Sequence, residues 1–212
     1  MKKIITVAAL VLTVATGAYA ASDAHTHISH VVSSWEDTPS ERGLLPTAFK
    51  ESLVAAAHAN YAVNAAGNFG AMKTHAGHVR HAIDPTLESG GPGLGYGLLK
   101  ATNGSITHIT LASESGDASE AVKTHTVHVV TSLNNVIERT NLALIEADAI
   151  IAAANAQEAL PHAVELARLT KASFAGIDAD GDGKISWKKG EGGLKTADQH
   201  MGFILDAEGL KR

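Results

Sequence analysis

Two histidines stand three residues apart in Lys73-Thr74-His75-Ala76-Gly77-His78-Val79. Fifty positions later Lys123-Thr124-His125-Thr126-Val127-His128-Val129 repeats them with the same lead-in and the same closing valine. Residues three apart on a helix share a face one turn along, so each pair can offer two imidazoles to one ion. A neutral imidazole ligates Zn(II) at about 2.0–2.1 Å and suits Cu(II) and Ni(II) as well. Two nitrogens make half a site. At the same offset of fifty, His58 falls on His108, so the pattern H-x16-H-x2-H occurs twice. In a helical hairpin with a short turn, a residue eight or nine before the turn faces one eight or nine after it. The spacing therefore predicts two three-histidine sites, His58 with His75 and His78, and His108 with His125 and His128. The competing reading is packing: His75 shares a stripe with Met72 and Val79, and His125 with Val122, Val129 and Leu133. His81, His162 and His200 have no counterpart in the repeat and read as ordinary packing histidines. The string HISHVV, residues 27–32, carries the H-x2-H-V ending a third time, as a remnant of another unit or as a similar short string.

A second chemistry lies in DADGDGKISWKKGEGG, which begins at Asp178. Asp178, Asp180 and Asp182 occupy positions 1, 3 and 5 of an EF-hand loop, Gly183 the sharp turn, Lys184 the backbone-carbonyl position and Ser186 the position that often acts through water. Carboxylates converging at alternate positions repel one another unless a hard cation lies between them, so Ca2+ is expected here. The end of the loop departs from the pattern: Lys189 stands where a bidentate glutamate belongs, and Glu191 follows two residues later. Glu191 is expected to close a longer loop, with Gly190 giving the backbone the freedom to bring it round. The alternative is a solvated Asp/Gly turn without an ion.

Helices must position these groups. Pro46 suits a first helical turn, and an alanine-rich run follows over 47–64; Ala66-Gly67-Asn68 is a tight connection to a second helix over 69–83. Asp84-Pro85 ends that helix and ESGGPGLG, 88–95, links to a third helix over 96–114. A fourth begins near Ala118 and runs well past Leu133 without a breaker. Leu160-Pro161 reads as the opening of a helix through Phe174, and 194–205 as the helix leaving the acidic loop. The polar stretch 21–44 reads as a mobile arm or a short helix. The fold class expected is all-α: a four-helix bundle of two repeated hairpins (units 45–84 and 95–137, bundle 45–156), then an EF-hand-like helix-loop-helix over 157–212.

Composition narrows the function. Residues 1–20 hold two lysines, an apolar run and Ala18-Tyr19-Ala20, the pattern of a secretory signal, so export to the periplasm or beyond is expected. Lys2 and Lys3 lie in that segment, so 17 basic residues fall to 15 against 22 acidic ones, a net of −7 with histidines neutral. No basic face with stacking aromatics accompanies this balance, which sets nucleic acid aside. No second apolar stretch reaches membrane length. The absence of cysteine excludes c-type haem attachment, iron–sulfur clusters and thiolate copper sites. Twelve histidines, all after the signal, raise the expectation of metal or proton chemistry.

The units HANYAVNAAGNFGAMKTHAGHVRHAID and HITLASESGDASEAVKTHTVHVVTSL resemble the repeat of the small metal-binding proteins, histidine-rich periplasmic four-helix bundles. The resemblance covers about residues 48–133. It implies binding of several divalent transition-metal ions, copper prominent among them, for storage or buffering, at His58, His75, His78, His108, His125 and His128. Fewer histidines per turn, and Thr131 where the first unit has His81, weaken any expectation of high stoichiometry. The tail resembles the EF-hand family from Asp178 to Ser186. The expected function is an exported protein that buffers or sequesters Cu(II), Zn(II) or Ni(II) and binds Ca2+. Alternatives are a Ca2+-stabilised structural or interaction module with no transition-metal role, and a b-type haem protein. No nucleophile, base and orienting group stand at recognisable spacing, so an enzyme is not expected. The protein partner and oligomeric state are left open.

Overall fold

The computed structural model describes residues 22–212, so the signal-like segment lies outside the described residues. Seven α-helices follow one another: α1 Asp23–Val32, α2 Leu44–Asn64, α3 Phe69–Ile83, α4 Leu98–Glu114, α5 Glu120–Ala152, α6 Ala156–Ala175 and α7 Leu194–Glu208. A short 3₁₀ turn, Pro39–Glu41, precedes α2, and no strand occurs among the described residues. Local chemistry sets the helix starts: the side chains of Ser22, Asn68, Ser119 and Asn155 each accept a backbone N–H in the first turn. The last of these moves the start of α6 ahead of the sequence expectation. Asn155 accepts from Glu158 N, and Pro161 lies inside the helix rather than at its opening.

The N-terminal stretch, read from the sequence as a mobile arm or a short helix, forms the short helix α1, and that helix is packed. Ile28 and Val31 of α1 are fully buried in a core shared with Leu44, Leu45, Leu98, Ile109, Val122, Val129, Leu133, Leu194 and Met201. A second core lies farther along α2 and α5, where Ala55, Ala59, Ala62, Met72, Ala76, Val79, Ala147, Ile150, Ala159 and Leu166 meet. Helices α2 and α5 contribute to both cores, so each is a spine on which the shorter helices dock. Alanine dominates the second core, and small side chains at the contact favour short distances between helix axes.

Two buried charges hold the connections. Glu51 on α2 is fully buried, and its carboxylate accepts the backbone N–H groups of Leu94, Tyr96 and Gly97 at 3.1, 2.9 and 3.0 Å. This ties the glycine-rich link to α2 and fixes where α4 begins. Arg139 on α5 donates to the carbonyls of Ala172, Gly190, Glu191 and Gly192 at 2.6–3.0 Å, binding the segment between α6 and α7 to the long helix. No helix among the described residues is long and apolar enough to cross a membrane.

Arg139→Leu is expected to lower stability by about 2–4 kcal/mol in chemical denaturation, because four carbonyls lose a charged donor. Arg139→Lys should recover only part of this, since an ammonium cannot reproduce the guanidinium fork.

Candidate metal centres

Each helix that carries an H-x2-H pair packs against a helix that carries a single histidine, and the pair and the single meet in three separate clusters. In the first, His58 of α2 stands with Nδ1 at 3.1 Å from Nδ1 of His75 and at 3.1 Å from Nδ1 of His78, both on α3. In the second, Nδ1 of His108 on α4 lies 3.0 Å from Nδ1 of His27 and 3.3 Å from that of His30, both on α1. In the third, Nδ1 of His200 on α7 lies 3.0 Å from Nδ1 of His125 and 3.3 Å from that of His128, both on α5. The single histidine is the hub each time, and the converging atom is always Nδ1.

The first hairpin therefore matches the spacing argument: His58, His75 and His78 come together. The second does not, because His108 is separated from His125 and His128. The turn of that hairpin is one residue longer, 115–119 against 65–68. The residue of α5 that faces α4 is Thr126, buried and donating to the Ile109 carbonyl. His108 instead faces α1, and the His125 and His128 face of α5 meets α7. The sequence reading missed His27, His30 and His200 as candidate ligands. The HISHVV string pointed to the first two, whereas nothing local marks His200.

Nitrogen atoms this close repel unless a proton or a cation lies between them. With ligand bonds of about 2.0–2.1 Å, such separations subtend roughly 90–110° at a shared ion between the hub and each member of its pair, angles that ligation allows. Burial first, with neighbouring imidazoles adding to it, favours the neutral, ligating form at six of the nine: His200 is pushed down to about 4 by desolvation and then by His128 and His125. His58 and His108 are lowered for the same two reasons, and so are His30, His75 and His128. The remaining three histidines each have another partner: His25 the Glu208 carboxylate at 2.8 Å, His162 that of Glu146 at 2.7 Å, and His81 the Glu88 carbonyl at 2.9 Å.

At the acidic loop, oxygens of Asp178, Asp180 and Asp182 lie within 4.8 Å of one another, all exposed. Asp178 accepts the N–H groups of Gly181, Asp182 and Gly183 at 2.8, 3.1 and 2.8 Å, and Gly183 takes the left-handed conformation the turn needs, with φ 83°. Lys184 N donates to Asp182. Glu191 is buried and turned toward Ser186, accepting its N–H at 2.9 Å and its hydroxyl at 2.5 Å, so it is not one of the three converging carboxylates. Lys188 reaches the Asp180 carboxylate at 3.4 Å.

No family model, curated protein or solved structure matches this chain.

The lowered histidines make a pH prediction for the metal-free protein. In the unfolded chain they take up protons near pH 6.5, while in the folded chain His200 resists to about 4. Between these values the unfolded state binds more protons, so stability is at its full value above pH 6.5 and falls as the pH drops toward 4. Denaturation midpoints at pH 7.5, 6 and 4.5 should decline in that order. His200→Phe should flatten the decline; an identical slope in that variant would contradict the assignment.

Proposed function

We propose that this is an exported metal-binding protein that buffers or sequesters divalent transition metals, Cu, Zn or Ni, at three histidine triads and binds Ca2+ at the acidic loop. The observation that carries the transition-metal reading is the convergence of three Nδ1 atoms, one hub and one H-x2-H pair, in three places of one chain. Packing alone would need a helical histidine at one such position now and then, not the same trio three times. Nine of the chain's twelve histidines take part. The likeness of the two hairpin units to the small metal-binding proteins supports the same reading, although the ligand sets differ from those the repeat implies.

Three features support the remaining parts. Residues 1–20 carry a signal-like pattern, which favours the periplasm. Asp178, Asp180 and Asp182 converge between α6 and α7, the place of a Ca2+ loop between two helices. Three like donor sets of one hub and one H-x2-H pair favour holding metal over catalysis.

Calorimetric titration of the mature protein with Zn(II) is expected to give three ions per chain. His58→Ala, His108→Ala and His200→Ala should each remove one. An unchanged count in the triple variant would overturn the reading. Separately, Ca2+ should raise the Tm of the parent and not of Asp178→Ala, with the Zn(II) count unaffected by that substitution; a rise that persists places the ion elsewhere.

A further inference from the structure

The chain has nine aromatic side chains outside histidine, and four of them, including both tryptophans, stand against the triads. The Trp35 ring lies 4.7 Å from that of His30 and 4.5 Å from that of His108, centroid to centroid. Tyr61 lies 5.2 Å from His58 and 5.4 Å from His75. Phe203 lies 5.2 Å from His125 and 5.5 Å from His200, while Trp187 stacks on His128 at 4.1 Å with an interplanar angle of 22°. Every triad thus has one aromatic ring in contact with its hub and with one member of its pair. No carboxylate joins any of the three histidine groups among the described residues, and the chain has no cysteine.

Resting on the metal-binding reading above, the geometry points to Cu(I) as the ion these triads are built to hold. Zn(II) takes a fourth ligand, commonly water, and Cu(II) and Ni(II) favour tetragonal sets of four or more donors. Cu(I) has a filled d shell and is satisfied by three donors. Three neutral imidazoles bring no negative charge, so a single positive charge is less costly to hold there than a double one. An aromatic ring stands against the hub and one member of the pair in every triad, and an aromatic face close to a site attracts a cation. Without thiolates, imidazole nitrogens and these rings are the donors left to favour a soft ion. No electron transfer is required of the protein: the ion enters and leaves as Cu(I).

Anaerobic titration of the mature protein with Cu(I) against a chromophoric Cu(I) chelator, with a parallel Zn(II) titration, tests this. The expected result is three Cu(I) per chain, retained against excess Zn(II), with an X-ray absorption spectrum of three nitrogen ligands and no fourth. Tyr61 is half exposed, so Tyr61→Leu should fold. It should lower the Cu(I)-to-Zn(II) affinity ratio at one site by about tenfold. Quenching of Trp35 and Trp187 fluorescence should follow the filling of the other two sites. Three Zn(II) per chain that displace Cu(I), a fourth oxygen ligand, or an unaltered Cu(I)-to-Zn(II) ratio in Tyr61→Leu would each overturn Cu(I) selectivity while leaving metal binding intact. Failure of both ions to bind would end both.

Discussion

A hub histidine on one helix held about 3 Å from a histidine pair on another can exist only if the two helices are locked in register. A one-residue slide moves a side chain by 1.5 Å along the axis and turns it by about 100°. Every cluster straddles a helix pair: α2 with α3, α1 with α4, and α5 with α7. Site geometry and packing are therefore one constraint. The apolar partners lie beside the imidazoles on the same helices, with Ala76 next to His75, Val79 next to His78 and Val129 next to His128, all three of these apolar residues buried.

The two spines explain how three sites fit on one small chain. Helix α5 is 33 residues long and α2 is 21, and each contributes to both cores. The shorter helices α1, α3, α4 and α7 need only dock correctly to close a triad. Glu51 and Arg139 serve that docking from inside: one fixes the entry to α4, which carries His108, and the other fixes the loop before α7, which carries His200. Both bind backbone groups of segments that would otherwise be free to drift.

Much of this was legible in the residues. The i, i+3 spacing of the histidine pairs, the alanine-rich helices, the breaks at Asp84-Pro85 and Ser115-Gly116, and the hairpin that joins His58 to His75 and His78 all follow from local rules. The two other triads do not, because their hubs come from helices distant in sequence, 78 and 81 residues away for His108 and 72 and 75 for His200. The offset of fifty correctly aligns His108 with His58, but similar helices can present a residue to different neighbours. What decides is which face α1 and α7 cover, and that is set by the whole core. Glu191 lies buried beside the acidic loop, where the Ser186 donors set the direction of its carboxylate.

The central claim is that Nδ1 of nine named histidines, and of no others, binds metal. The most direct measurement is two-dimensional nitrogen-15 NMR of the imidazole side chains, before and after loading with Zn(II). The account predicts that the Nδ1 resonances of His27, His30, His58, His75, His78, His108, His125, His128 and His200 shift together in three groups, while those of His25, His81 and His162 stay in place. Shifts at those last three, or shifts confined to Nε2, would contradict it.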